Sequence, residues 1–492
     1  MPTIYSARWV LPIVSPPIEW AAVAIEGSQI VAVGSRDKIA ARWPDVRIED
    51  FGEAAILPGL INTHSHLELT VMRGFLEAEE HDFFAWLKKL TVARMAMTDE
   101  DLFVSATCGA IEAARAGITC VGDSSSFAIQ SMKALRQIGL RGIVYQESFG
   151  PDPNLARENF EKLVKQMNSM RSLETDLVRA GVSPHAPYTV SAPQLELISR
   201  FAVDEEIPLM MHAAESEAES KLMLQGEGPF AEGLRKRGIE WRAPRVSTVQ
   251  HLDRHGVMST RPLLAHCISV DDADMNLIKQ RNAGVAHCPK SNAKLRHGRA
   301  PFADFLSHGL NVGLGSDSVA SNNSCDILEE ARFATLLARV SEARPRGRQP
   351  GSPVGVGRSG RASNDIITPG DFGSLLAPPD GRASDTITAT DALFAATLGG
   401  ARALGLDSRI GALAVGLSAD LTVVDLHGAH QQPNTFPEDA IIFSSSGRDV
   451  FCTIVAGKEV YRAGLETAFA EADFNQRLRT IRQKLDNATG TR

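Results

Sequence analysis

Several things are scarce in this sequence, and each shortage removes a class of protein. The six cysteines, Cys108, Cys120, Cys267, Cys288, Cys325 and Cys452, include no C-x-x-C pair and no short cysteine-rich framework. That argues against a disulfide scaffold and fits small buried thiols in a reducing, cytoplasmic setting. Positive charge is not in excess: the formal net charge is −8, the reverse of the basic footprint of a nucleic-acid binder. No apolar run reaches the roughly 18 residues of a membrane-spanning helix. The opening MPTIYSARWVLPIV has neither the basic n-region nor the long apolar core of a signal peptide. No internal repeat is visible. What remains, at 43% hydrophobic and 22% charged residues, is the composition of an ordinary soluble globular protein.

By length alone 492 residues suggest about three domains of roughly 150 residues, but a single β/α barrel takes about 250. Ile4–Val10, Trp20–Glu26 and Gln29–Val33 read as short strands separated by turn residues, and predict a small β-domain. From Ile56 the texture changes. Apolar or β-branched runs at Ala55–His64, Gly117–Asp123, Arg141–Ser148, Ala180–Pro184, Ile207–His212, Pro262–His266, Gly284–Cys288 and Asn311–Gly315 alternate with helical patterns such as Asp99–Ala116 and Asn154–Met170. Eight strands alternating with helices predict an α/β fold, a (β/α)8 barrel. Residues 341–385, rich in Arg, Gly, Pro and Ser, read as a flexible solvated insertion. Helical pattern returns at Thr390–Leu404. GALAVGLSADLTVVDL and Val450–Tyr461 read as late strands that join the N-terminal ones, and Ala468–Lys484 as an amphipathic helix. The expected organisation is therefore a composite β-sandwich from 1–57 and 408–466, a barrel over 58–407, and a helix and tail over 467–492.

The chemistry-bearing residues fall at strand ends. His64 and His66 close the first barrel run; side chains two apart on a strand share a face, so both can grip one ion. His212, in LMMHAAES, ends the fifth run, and Asp317, in VGLGSDS, follows the eighth. A barrel builds its active site at the C-terminal ends of its strands. Taken singly, His212 reads as a core histidine and Asp317 as a turn or cap residue; together they outweigh those readings. Three imidazoles and a carboxylate suit one divalent ion, Zn2+ first and Fe2+ as its competitor. Glu215, three residues past His212, and His266, in LLAHCIS, acquire roles beside such an ion, which makes hydroxide available near neutral pH. His266 orients or deprotonates the water, Glu215 delivers a proton to the substrate if its pKa is raised, and Asp317 shuttles one to the leaving group.

The segments LPGLINTHSHLE, SPHAPYT, HAAES, AHC, AHCPKSN and GLGSDS resemble the amidohydrolase superfamily. The resemblance covers nearly the whole chain, from ILPG before H-x-H to ADLTVVD near the C-terminus. The strand-four segment GVSPHAPYT carries His185 and no lysine, so the chain is most similar to the mononuclear deaminase and chlorohydrolase branch. The resemblance implies His64, His66, His212 and Asp317 as metal ligands, Glu215 and His266 as catalytic groups, His185 as a substrate contact and a composite sandwich from both chain ends. THSHLELT, GLRGIVYQESFGPD and SPHAPYTVS are most similar to aminodeoxyfutalosine deaminases, which act on an adenine nucleoside of a menaquinone pathway. The expectation is hydrolytic deamination of an adenine-type nucleoside, 6-amino-6-deoxyfutalosine foremost. Methylthioadenosine or S-adenosylhomocysteine is the alternative, followed by guanine, triazine or cyclic-amide substrates. A non-catalytic scaffold is disfavoured because all six positions are filled.

The remaining residues carry divided expectations. Glu68 meets the substrate or forms a structural ion pair. His287 and Asn292 line the pocket or shape their loop, and Arg73 stabilises a loop. Phe83, Phe84 and Trp86 wall an aromatic ring or anchor the first βα loop. His251, His255, His297, His308, His427 and His430 have surface or capping roles. The partner is a small heterocycle, with no nucleic acid and no membrane; a homo-oligomer is compatible with the fold.

Overall fold

The computed structural model describes residues 1–342, 386–465 and 471–490. The expected insertion at 341–385 lies almost wholly outside them. Both chain ends feed one eight-stranded sheet. Its strands are β1 (Thr3–Val10), β2 (Ile18–Glu26), β3 (Gln29–Ser35), β4 (Ile48–Asp50) and β5 (Ala54–Pro58), with β14 (Leu421–Asp425), β15 (Val450–Val455) and β16 (Lys458–Arg462). The order is β16-β15-β14-β5-β1-β2-β3, with β4 pairing β1. The alternation that marks these strands buries one face in a cluster containing Tyr5, Val23, Ile56, Leu421 and Ile454. Of the long stretch GALAVGLSADLTVVDL, only Leu421–Asp425 is strand; the part before it is loop. The helix expected over Thr390–Leu404 is interrupted at Thr397, between Ala389–Ala396 and Leu398–Ala403.

The eight barrel strands are β6 (Leu60–Ser65), β7 (Ile118–Ser125), β8 (Arg141–Ser148), β9 (Val178–Pro184), β10 (Met210–Ala213), β11 (Leu263–His266), β12 (Gly284–His287) and β13 (Asn311–Leu314). All pair in parallel, as two four-stranded sheets, β6-β7-β8-β9 and β10-β11-β12-β13. Single-residue parallel bridges, Val182↔Leu209 and Ser65↔Asp317, join their edges on both sides. The second of these joins places a predicted ligand at the seam. The first run, Ala55–His64, proves to be two strands: β5 pairs β14 in the composite sheet and β6 pairs β7 in the barrel. The break falls at Gly59, where a Cβ would lie 2.0 Å from Thr119 Oγ1, so only glycine lets the chain pass from one sheet to the other.

The barrel floor is tied to the composite sheet by a buried ion pair. Arg141, the first residue of β8, donates from Nε (2.8 Å) and Nη2 (3.1 Å) to the two carboxylate oxygens of Asp420 and from Nη2 to Ser418 Oγ (2.8 Å). None of the six cysteines is in a disulfide. Among the described residues, no helix is long and apolar enough to cross a membrane. The helix Glu471–Thr489 packs Ile481 and Leu485 into the cluster holding Met72, Phe75, Trp86 and Leu90, and so backs the segment that follows His66.

Candidate active site

Strand ends carry the predicted residues to one point at the barrel mouth. His64 and His66 flank the last residue of β6, and their ring centroids lie 5.0 Å apart. His212, on β10, brings its ring to 4.9 Å from His64. One ligand nitrogen from each of the three lies within 4.8 Å of the others. Asp317 follows β13 in a left-handed conformation (φ 54°), and its amide donates to the His64 carbonyl at 2.9 Å. This seam contact aims Oδ1 at His64 Nε2 (3.3 Å) and His66 Nε2 (3.5 Å). Ser291 Oγ (2.5 Å) and Ser321 Oγ (3.0 Å) both donate to the other oxygen, Oδ2, which fixes which oxygen is left for the histidines.

The donor set fits a divalent metal. His64 is fully buried, yet neither ring nitrogen has a hydrogen-bond partner, a costly arrangement for polar atoms unless a ligand completes it. Burial pushes its pKa down to about 3 despite the opposing pull of Asp317; burial, with His66 and His266, lowers His212 as well. Neutral imidazoles are the form that binds metal. His212 Nδ1 bonds the His185 carbonyl at 2.9 Å. A carbonyl only accepts, so Nδ1 carries the proton and Nε2 is left as the ligand atom, the usual outer-sphere device.

His266 ends β11 and is oriented in the same way. Its Nδ1 lies 2.8 Å from Asn292 Oδ1, so Nδ1–H donates and Nε2, buried and without a partner, faces the site. Asn292, in the helix Pro289–Lys294, thus holds a site residue. Glu215 Oε1 lies 3.6 Å from His266 Nε2 and 3.7 Å from His297 Nε2, while Tyr188 Oη donates to Oε2 at 3.4 Å. Burial pushes the Glu215 pKa up, but His266, His297 and His212 outweigh it and bring it to about 2. The net pull on Glu215 is toward the carboxylate. His185 closes the same cluster, with its ring 4.7 Å from His212 and 4.6 Å from Phe149.

Glu68 does not face the metal cluster. It is fully buried, takes the hydroxyl of Ser125, and accepts the amides of Ser126 (3.3 Å) and Phe127 (3.2 Å). Its carboxyl group clamps the loop leaving β7. The strand-end acid that does reach the cluster is Glu147 on β8. It lies 3.9 Å from His66 Nδ1, groups with His185 and His212, and accepts Ser126 Oγ at 2.6 Å. Its place near the end of RGIVYQES was a usable signal, the same one that marked the histidines. His297 was also missed. Its side chain is 7% exposed and meets Phe83 edge-on at 4.6 Å; only its place just beyond the helix that carries Asn292 pointed to it.

Phe83, Phe84 and Trp86 both anchor the loop and build a wall. Phe83 stacks on Trp86 at 6.0 Å, Phe84 meets Phe230 at 5.1 Å, and Phe230 stacks on Tyr188 at 3.9 Å. His287 stacks on Phe302 at 5.1 Å and serves packing. Arg73 holds a loop as expected, donating to Glu112 and to the Asn323 carbonyl. His251, His255, His308, His427 and His430 lie outside the cluster, the last two in exposed pairs with Asp425 and Asp449.

A model of the amidohydrolase family matches residues 55–354 and 349–460. The chain belongs to the amidohydrolase family. An imidazolonepropionase-like composite domain of bacteria also matches, at residues 21–45, within the sheet built from both ends of this amidohydrolase. A 5-methylthioadenosine/S-adenosylhomocysteine deaminase of Syntrophobacter fumaroxidans is 30% identical over 442 residues, 89% of this chain and 87% of that protein. A 5'-deoxyadenosine deaminase of Methanothermobacter thermautotrophicus is 28% identical over 447 residues, 90% of this chain and 89% of that one. The crystal structure of an adenosine deaminase from Xanthomonas campestris with bound zinc superposes with a TM-score of 0.79 at 26% identity, covering 99% of this chain and 98% of that one.

Proposed function

We propose that this amidohydrolase is a hydrolytic deaminase of an adenine-type nucleoside, converting a ring C–NH2 and water into a ring C=O and ammonia. The observation that carries the reading is the position of Glu215, whose carboxyl group lies against His266 and Tyr188, beside the His64–His66–His212–Asp317 cluster and the aromatic wall of Tyr188 and Phe230. When held by those four residues, a divalent ion lowers the pKa of a water toward neutrality. The zinc in the Xanthomonas structure makes Zn2+ the first ion to test.

The chain's own residues then account for the protons. His266, its Nδ1–H held by Asn292, offers Nε2 as an acceptor and orients the attacking water. Glu215 accepts a proton from that water and carries it to the ring nitrogen next to the attacked carbon, which makes the ring electrophilic. Asp317, with Oδ2 held by two serines, passes the second proton through Oδ1 to the departing amine. His185 contacts the substrate from the β9 side.

Two nucleoside groups divide the substrate reading. The segments THSHLELT and GLRGIVYQESFGPD favour 6-amino-6-deoxyfutalosine, and the names of the relatives favour 5'-deoxy and thioether adenosines. Zinc-loaded protein tested for ammonia release against adenosine, 5'-deoxyadenosine, methylthioadenosine, S-adenosylhomocysteine and aminodeoxyfutalosine decides between them. One strongly preferred nucleoside is expected; no release from any of them, with metal bound, overturns the reading. Glu215→Gln should keep its metal and lose about 10²–10⁴-fold in kcat, the range for a positioned acid–base group. Near-normal turnover in that variant removes Glu215 from the proton path.

A further inference from the structure

A second buried acid stands behind Glu215 and has no place in the chemistry above. Glu219 is fully buried, in the helix Glu217–Gln225. Its Oε1 accepts the amide of Ala214 at 2.8 Å and the hydroxyl of Thr248 at 2.6 Å, and its Oε2 accepts the amide of Glu215 at 3.1 Å. Both amides belong to the turn by which the chain leaves β10. Ala214 has φ 53° there, a left-handed conformation that a residue with a side chain adopts only when its surroundings enforce it. The other side of the turn is held as well: the Ala214 carbonyl accepts the amides of Ile268 (2.8 Å) and Ser269 (2.9 Å), from the loop after β11. The turn is thus tied to the loop that follows His266 and, through Thr248, to the helix Thr248–Arg254.

We infer that Glu219 is a positioning residue for the proton carrier Glu215. Resting on the reading of Glu215 above, the inference is that the Glu219 carboxylate fixes the strained turn at Ala214, and thereby the distance from Glu215 to His266 and to the substrate ring. Both oxygens must be free to accept, because each faces a backbone amide that can only donate. Glutamine cannot replace it cleanly. With its NH2 in the place of Oε2, donor faces donor at the Glu215 amide; with its NH2 in the place of Oε1, the same conflict falls on the Ala214 amide. Either way one buried amide loses its acceptor.

The test is Glu219→Gln in the zinc-loaded full chain, with the best nucleoside from the panel above. A displacement of about 1 Å at a catalytic group costs on the order of 10²-fold; kcat should therefore fall by roughly 10- to 100-fold, with KM and bound zinc unchanged. Amide hydrogen exchange in the segment 212–219 should accelerate, a readout that needs no substrate. A milder pair covers the case in which Glu219→Gln does not fold: Thr248→Val should lower kcat by a few-fold, and Thr248→Ser, which keeps the hydroxyl, should restore it. A folded Glu219→Gln enzyme with unchanged kcat and unchanged exchange overturns the inference, as does wild-type turnover in Thr248→Val. If Glu215→Gln stays active, the reading of Glu215 fails instead; if Glu215→Gln is dead and Glu219→Gln is normal, only the positioning role fails.

Discussion

The two ends of the barrel treat buried polar groups in opposite ways. At the floor, Arg141 and Asp420 are almost fully buried and every contact is satisfied: two nitrogens reach the two carboxylate oxygens, Ser418 takes a third hydrogen bond, and the Ala456 amide adds a fourth at 2.8 Å. At the mouth, both nitrogens of His64 and the Nε2 atoms of His266 and His297 are buried with no hydrogen-bond partner. A polar group removed from water costs about 1–3 kcal/mol unless it is paired. The Arg141–Asp420 pair is complete without a ligand, and the imidazoles at the mouth are complete only with one. The Arg141–Asp420 pair holds the fold together, and the partnerless imidazole nitrogens of the mouth await a ligand.

The largest expected effect sharpens this contrast at the mouth. Asp317→Asn removes the anionic ligand while keeping its size. Metal analysis should find the ion lost, and activity should fall by on the order of 10³-fold or more with the water left unactivated; a variant that retains one equivalent of metal and full activity would remove Asp317 from the ligand set. Next comes the floor. Arg141→Ala leaves Asp420 charged and buried, for a loss of about 3–5 kcal/mol in denaturant unfolding, with metal content and KM unchanged. A variant that unfolds normally but loses metal would break the division between the two ends.

The smallest effect concerns pH. Glu330, behind Asp317, accepts Asn322 Nδ2 (2.6 Å) and the Lys290 amide (3.2 Å), and burial pushes its pKa up to about 8 against the pull of Lys290. Its folded pKa thus lies above its unfolded one, so between about pH 4.5 and 8 the folded state binds the extra proton. The stability this confers is present below the unfolded pKa and is lost as pH rises through 8. The Tm advantage of wild type over Glu330→Gln should therefore shrink from pH 5 to pH 8; an advantage that grows over that interval would contradict the assignment.

Much of this architecture was legible in the sequence because it follows from local pattern. Strand-like runs alternating with helical segments located all eight barrel strands, and the rule that such barrels work at the C-terminal ends of their strands picked His64, His66, His212, His266 and Asp317. A strand pattern and its end are set by neighbours in the chain, which a sequence displays directly. The boundary expected at 57/58 already cuts Ala55–His64, but the run still reads as one strand, since continuous apolar character looks the same whether it serves one sheet or two. Three features of the site were decided only by tertiary structure. Glu68 holds the loop after β7 and Glu147, which had no expected role, joins the cluster, because their partners come from other strands and loops: Ser125 to Phe127 for one, His66 and His185 for the other. His297 entered the site because its loop folds back toward Glu215. The downward pull on the Glu215 pKa comes from three histidines delivered by separate segments. Identity and spacing are properties of the chain, whereas burial, the tautomer of an imidazole and the charge of a carboxylate depend on which distant groups the fold brings within a few ångströms.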